Sequence, residues 1–201
     1  MTSPQKSPPP DAEETDFLEL ARNIWLKPRE TIRVIVDYDP RYLQRGLILA
    51  LSLASGLLAL RDGLGMMMLE TVLNFVMWIV SIYGTAFLLL LTGKLLKGKA
   101  TFMELVAALT WSMIPALAGL LAAFALRLAG GVLDLGADVL QVLLSLYSFH
   151  LWVLTVAEVQ RFPAWKAGVN HLLVLLVLLI PVLFFIGPIL AFFRNLIPGL
   201  L

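Results

Sequence analysis

Long apolar stretches alternate with short polar segments along most of this chain. Charged residues bracket five of these stretches, which with their flanking anchors give predicted spans at 43–61, 71–93, 102–127, 138–160 and 164–194. A helix needs about 20 mainly apolar residues to cross the hydrocarbon core of a bilayer. The pattern therefore predicts an all-α fold: a polytopic membrane protein whose five transmembrane helices form a bundle within residues 40–201.

Three of the predicted spans are irregular. Span 1 is short, and we expect its flanking arginines to reach the interface along their aliphatic stems. Pro115 lies inside span 3 and predicts a hinge or kink, because proline lacks the backbone N–H that a helix uses. Pro181 and Pro188 lie inside span 5 and predict a kinked or broken helix.

A polar, Pro-rich segment and then an amphipathic one precede the first span. Residues 1–15 predict a disordered tail without an apolar signal-peptide core. Over 16–39, apolar side chains recur at helical spacing and predict cytoplasmic amphipathic helices. Such helices either lie in the membrane interface or dock on the protein's own cytoplasmic face, and the pattern allows both. The positions that we expect to contact lipid or a partner are Phe17, Ile24, Trp25, Pro28, Arg29 and Arg33.

Composition supports a membrane protein and excludes several other classes. The chain is 60% hydrophobic and 14% charged, against about 45–50% and about 25% in soluble domains. Its net charge is +1, and no basic patch with interleaved aromatics indicates nucleic-acid binding. It has no cysteine, which excludes disulfides, cysteine zinc sites and thiol catalysis.

The distribution of lysine and arginine predicts the orientation. Twelve of these residues lie before or just inside the start of span 1, or in or beside the second and fourth loops, and three lie on the other side. Cytoplasmic loops carry the excess of positive residues in membrane proteins. The N-terminus is therefore predicted in the cytoplasm and the C-terminus outside.

The residues needed for catalysis or metal binding do not come together in the sequence. The two histidines, His150 and His171, fall on different spans, with no carboxylate at ligand spacing. No nucleophile motif or glycine-rich phosphate loop is present. We therefore predict a protein that is not an enzyme, with no catalytic, metal or cofactor site.

Polar residues inside the spans are the remaining candidates for a site. In span 4, several of them recur on one helical stripe, which either lines a polar path or forms hydrogen bonds between helices. With no carboxylate at midspan, the sequence favours hydrogen bonding. The candidate intramembrane positions are Trp111, Pro115, Gln141, Ser145, Ser148, His150, Trp152 and Glu158.

Small residues also recur four positions apart, as at Ser52 and Gly56 or at Gly119 and Ala123. This spacing lets two helices approach closely. It predicts tight packing within the monomer or a homodimer interface, and it does not separate the two.

Three sequence blocks resemble the Yip1 family of small membrane proteins. They are Ile24 to Arg33, Gly98 to Pro115 with its Trp-Ser pair, and His150 to Ala167. The second block departs from the expected glycine-rich loop, since Gly98 alone remains. The resemblance implies a five-span bundle with a cytoplasmic N-terminal segment. Eukaryotic members are linked to Rab GTPases and vesicle traffic, whereas this chain looks more like the bacterial members, which implies a bacterial inner (plasma) membrane protein.

These observations lead to one main hypothesis and one alternative. The main hypothesis is a non-enzymatic integral membrane protein that organises the bilayer, or binds anionic lipid or a membrane or cytoplasmic protein partner, at its cytoplasmic face. The alternative is a small transporter or channel component that uses the polar face of span 4.

Overall fold

The computed structural model describes the backbone of residues 17–38, 41–131 and 133–196, and side chains mainly as far as Ile180. The predicted tail over 1–15 lies outside the described residues. Within them the fold is all-α, as predicted, and has no strand. The helices are α1 Phe17–Leu26, α2 Pro28–Tyr38, α3 Arg41–Leu57, α4 Leu64–Leu95, α5 Phe102–Trp111, α6 Ile114–Ala129, α7 Leu133–Val159 and α8 Ala164–Leu196, with a 3₁₀ turn at Leu60–Asp62.

Three helical segments of the described chain are long and apolar enough to cross a membrane. They are α4, α7 and the α5–α6 pair taken together. Shorter apolar helices at Tyr42–Leu57 and Ala164–Ile180 correspond to predicted spans 1 and 5. The membrane character of the fold is thus confirmed, and the count of five spans stays a prediction.

The α5–α6 pair forms the centre of the bundle. Twelve consecutive residues, Leu105 to Ala116, are buried, and the pair contacts α3, α4 and α7 as well as α1 and α2. By contrast, only 22% of the most apolar stretch of α4 or α7 is buried, so these two helices expose wide apolar surfaces. The Thr-x-x-Glu spacing of Thr101 and Glu104 predicts a capping box at the start of span 3, and helix α5 begins with that capping box.

The central span is interrupted near its middle. Helix α5 ends at Trp111 and α6 begins at Ile114, with Pro115 in the first turn of α6. The irregularity predicted from Pro115 is therefore present, as a short break between two helices. Helix α8, in contrast, is continuous across Pro181 and Pro188, so the structure shows no break there. A kink in α8 stays a prediction.

Helix ends extend beyond several charge brackets. Helix α4 begins seven residues before position 71, and Glu70 lies inside it, where its carboxylate accepts from the Asn74 amide at 3.2 Å. The spacing of Asp138 and Gln141 likewise predicts a cap at the start of span 4, and this prediction is wrong: helix α7 begins at Leu133, and Asp138 pairs with Arg127. A charge bracket indicates where lipid contact ends, and a helix continues past that point while its backbone bonds stay satisfied.

Helices α1 and α2 pack on their own protein. Leu20 and Ile24 of α1, and Ile32 and Ile35 of α2, are each at most 4% exposed and belong to the main core. Helix α1 contacts α2 and α6, and α2 contacts α5 and α7. The sequence allowed two placements for these helices, in the membrane interface or on the protein itself. In the structure α1 and α2 dock on the protein itself.

The two ends of the bundle carry different charges. We call the end formed by residues 17–38 (α1 and α2), the 96–101 loop and the 160–163 turn the basic end: its described residues include seven Lys or Arg and three Asp or Glu. The opposite, acidic end is formed by the 58–63 loop and by residues 127–138, and its described residues include two Lys or Arg and three Asp or Glu. Arg61 and Asp134 pair across the acidic end at 3.8 Å.

The Gln160 side chain forms hydrogen bonds to both α4 and the 96–101 loop at the basic end. It is 1% exposed, its amide donates to the Leu89 carbonyl at 3.1 Å, and its side-chain oxygen accepts from the Ala100 N–H at 3.4 Å. Gly93 and Gly98 leave the space that this side chain fills: a Cβ at Gly98 would stand 1.9 Å from the Gln160 amide oxygen. The single glycine retained in the second resemblance block therefore permits a close approach.

We expect Gly98→Ala to lower the melting temperature of the detergent-purified protein by several degrees. The added methyl displaces Gln160, and a buried amide that loses its partners costs about 1–3 kcal/mol. Gly84→Ala is the control, because nothing lies within 4 Å of a Cβ there. Equal melting temperatures for the two variants would show that Gln160 moves without cost.

Candidate functional site

Helix α7 supplies the hydrogen bonds that the break in the central span removes. The Ala116 N–H donates to the Ser148 hydroxyl at 2.9 Å, and the Trp152 indole N–H donates to the Leu109 carbonyl at 3.0 Å. In a regular helix, Leu109 would accept from Met113, whose N–H instead bonds to Thr110. Side chains of α7 thus replace two backbone bonds of the interrupted helix.

Two further hydroxyls complete this arrangement, and the sequence prediction did not list either as a candidate site. Thr155 donates to its own helix at Leu151 and lies 3.3 Å from the Ala108 carbonyl. Ser112, inside the break, bonds to the Ala108 and Leu109 carbonyls. A serine or threonine within one turn of a midspan proline is the signal that identifies Ser112. Thr155 has no proline nearby, and only its place on the polar stripe of α7 marks it.

The polar stripe on α7 is consequently divided. Ser148 and Thr155 are fully buried against α5 and α6, and Trp152 is half-buried there. Gln141 and Ser145 lie nearer the acidic end, where they line an open depression of about 480 Å³ together with Asp138. The structure does not join the two groups into one path.

Aromatic rings hold α1 beside the break. The Phe17 ring lies 5.7 Å from the Trp111 ring, and Trp111 is fully buried. The indole N–H of Trp111 has no hydrogen-bond partner within the described part of the chain. Trp111 therefore acts as a packing residue between the break and α1.

Tyr147 provides a second contact to the N-terminal segment, and sequence reasoning missed it. Its hydroxyl donates to the Trp25 carbonyl at 2.6 Å, and the two rings lie 5.9 Å apart. That carbonyl is at the end of α1, where four backbone acceptors lack helical donors. His150 is exposed and stacks on Tyr147, with the ring centres 6.4 Å apart.

A polar pocket of about 560 Å³ opens at the basic end, between α2, the start of α5 and the end of α7. Arg33 and Glu158, which the sequence assigned to different regions, form an ion pair at its wall. Arg29 is exposed elsewhere on α2, and Pro28 begins that helix. The pocket is lined by Arg33, Val36, Asp37, Glu104, Ala157, Glu158, Val159, Arg161 and Phe162.

Among the described residues, no three His, Asp or Glu side chains are grouped closely enough to hold a metal ion. The site therefore consists of a buried hydrogen-bonded core and a charged pocket at one end.

Comparison with known families agrees with this geometry. The model of the Yip1 domain matches residues 22–186, from α1 into α8. The chain belongs to the Yip1 family. The match includes the second half of α1, all of α2, the interrupted span and the basic-end pocket, so these features lie inside the family domain. With its apolar helices, membership makes the chain an integral membrane protein. No curated protein and no solved structure matches the chain.

Replacing Ser148 by alanine should destabilise this Yip1-domain protein by about 1 kcal/mol, since it leaves the buried Ala116 N–H without an acceptor. Ser145→Ala removes the same hydroxyl from an exposed position of the same helix and should change nothing. The measurement is equilibrium unfolding in mixed micelles. If both substitutions had the same effect, the cross-helix bond would contribute no stability.

Proposed function

We propose that this Yip1-family protein is a non-enzymatic membrane organiser of the bacterial inner membrane, which gathers anionic lipid at its cytoplasmic face. The observation that carries the proposal is the charge of the basic end, combined with the docking of α1 and α2. The apolar faces of both helices are used by the protein's own core. Their charged faces are therefore left for the surroundings.

Exposed basic side chains on this segment support a lipid role. Arg22, Lys27 and Arg29 are exposed, and Leu26 between them is 79% exposed. A surface that presents cations beside an apolar side chain suits the boundary between headgroups and acyl chains. Each Lys or Arg near an anionic leaflet contributes about 1 kcal/mol of attraction.

The fixed position of α1 supports an effect on bilayer organisation. The Tyr147 hydroxyl donates to the Trp25 carbonyl at 2.6 Å near the end of α1, and Phe17 at its start packs on Trp111. Both ends of α1 are therefore tied to the bundle. A cationic surface held in this way would gather anionic lipid in a fixed position beside the protein.

The transporter or channel alternative gains no support from the stripe on α7. Ser148, Trp152 and Thr155 bond to the backbone of α5 and α6, and His150 faces outward. A protein partner at the cytoplasmic face and a homodimer stay predictions.

Orientation can be tested by cysteine labelling, because the chain has no cysteine of its own. Lys97→Cys, at the basic end, should react with a membrane-impermeant maleimide in inside-out vesicles and stay unlabelled in intact cells. Asp62→Cys, at the acidic end, should show the opposite pattern. The reverse result for both variants would invert the proposed topology.

Lipid selectivity tests the proposed function directly. The full chain is reconstituted in vesicles of phosphatidylcholine with a spin-labelled phosphatidylglycerol, and its preference for the anionic lipid is measured at low salt. The triple variant Arg22→Gln, Lys27→Gln, Arg29→Gln should lower this preference at least about threefold.

The control for that experiment reverses the charge change on the same helices. Glu19→Gln with Glu30→Gln should raise the preference, because both are exposed carboxylates. Surface variants are used here because deletion of residues 17–38 would remove four core side chains. Unchanged selectivity in both variants would rule out lipid gathering by this segment.

A further inference from the structure

The pocket at the basic end contains one ion pair and further charges of both signs beside it. Arg33 pairs with Glu158, whose side chain is 16% exposed. Asp37 and Arg161 line the same pocket, and neither side chain has an ion-pair or hydrogen-bond partner in the part of the chain that the structure describes. One cation, Arg161, and one anion, Asp37, therefore line the same pocket without a partner among the described residues.

Arg161 is held at the pocket by an unusual backbone conformation. Its φ is +58°, in the left-handed region, where the chain turns after α7 and the Phe162 N–H bonds back to the Ala157 carbonyl at 2.7 Å. Glycine is the residue that this position ordinarily favours. An arginine here accepts backbone strain and places a guanidinium at the pocket instead.

We propose that this pocket binds the headgroup of a zwitterionic phospholipid that carries a primary ammonium, of the phosphoethanolamine type. The phosphate contacts the guanidinium groups of Arg161 and Arg33, because guanidinium matches phosphate geometry through paired N–H donors. The ammonium lies toward Asp37, which accepts its N–H groups.

Charge composition selects this ligand over an anionic lipid. Five charged residues line the pocket, and three of them are carboxylates: Asp37, Glu104 and Glu158. A purely anionic headgroup would meet these carboxylates without a compensating cation of its own. A headgroup that carries both signs satisfies both sets of side chains.

Size and position select a lipid over a protein. A volume of about 560 Å³ lies within the range of small-molecule sites, about 300–1,000 Å³, whereas a stable protein partner needs about 800 Å² of surface on each side. Two of the pocket walls are the start of α5 and the end of α7, and the other parts of these two helices are apolar, which suits an opening at headgroup level. Val36, Val159 and Phe162 give it apolar lining for the glycerol and upper acyl carbons.

This inference does not depend on the anionic-lipid function proposed above. That function rests on exposed cations of α1 and α2, and its test measures preference for phosphatidylglycerol. The pocket predicts a preference between two zwitterionic lipids, which the phosphatidylglycerol experiment does not measure. Either result can fail while the other holds.

The test is native mass spectrometry of the full-length protein, titrated with short-chain phosphatidylethanolamine or phosphatidylcholine. These lipids share the phosphate and differ in the ammonium, which has three N–H donors in the first and none in the second. We expect phosphatidylethanolamine to bind about tenfold more tightly, as one charge-assisted bond provides. Equal affinities would overturn the proposal.

Substitutions of Asp37 and Arg161 test which residue binds the ammonium and which binds the phosphate. Asp37→Asn should remove most of the discrimination between the two lipids, and Arg161→Gln should weaken both about tenfold. Arg161→Lys should retain more binding than Arg161→Gln, which separates lost charge from misfolding. Lys97→Gln is the matched control, because Lys97 is also basic, exposed and left-handed, with φ of +65°, but does not line the pocket.

Three results would contradict the proposal. The first is an equal loss of binding in Arg161→Gln and Lys97→Gln. The second is unchanged discrimination in Asp37→Asn. The third is competition by soluble glycerophosphoethanolamine at the same concentration as the lipid, which would assign the pocket to a water-soluble ligand. Failure of soluble headgroup to compete, together with loss in the Arg161 variant, supports the lipid site.

Discussion

An interrupted helix at the centre of an apolar bundle needs internal partners for its freed backbone groups, and this requirement governs the arrangement of the chain. Neither lipid nor bulk water supplies them there, and a buried backbone group left without a partner costs about 1–3 kcal/mol. Ser148 and Trp152 of α7 supply one acceptor and one donor. These two hydrogen bonds form only in one register between α7 and the central span, and the apolar contacts around them fit that same register. The rest of α7 is free to face lipid, as its many exposed apolar side chains indicate.

The N-terminal segment extends this arrangement toward one end. Phe17 packs on Trp111 directly beside the break, and Trp25 accepts the Tyr147 hydroxyl, so α1 is anchored to the same two helices. Through Arg33 and Glu158, α2 then reaches the end of α7 and forms one wall of the charged pocket. The buried core and the charged pocket are thus two ends of one structure. A lipid function and a structural function for α1 and α2 are compatible, because opposite faces of the helices carry them.

Sequence reasoning was most reliable where one physical cause acts locally. The capping box at Thr101 and the irregularity near Pro115 are both present, because capping and the missing proline donor act within one turn. It failed at the start of α7, where Asp138 has cap spacing yet pairs with Arg127 of the preceding helix. Tyr147 and Gln160 escaped notice for a related reason: their partners are 122 and 71 residues away, at Trp25 and Leu89. Periodicity and spacing contain no information about such distant partners.

The sequence by itself determined that the chain lies in a membrane, that its fold is all-α and that its Lys and Arg residues are unevenly distributed along the chain. Each of these follows from the composition and order of the residues, without knowledge of which helices contact one another. It also limited the stripe on α7 to two interpretations. The tertiary structure decided between them for Ser148, Trp152 and Thr155, because the choice depends on which helix lies 3 Å away. It likewise brought Arg33 to Glu158, which are 125 residues apart in the chain. Long-range polar pairing in a bundle is set by how the helices pack, and packing sums many weak contacts that no short stretch of sequence specifies.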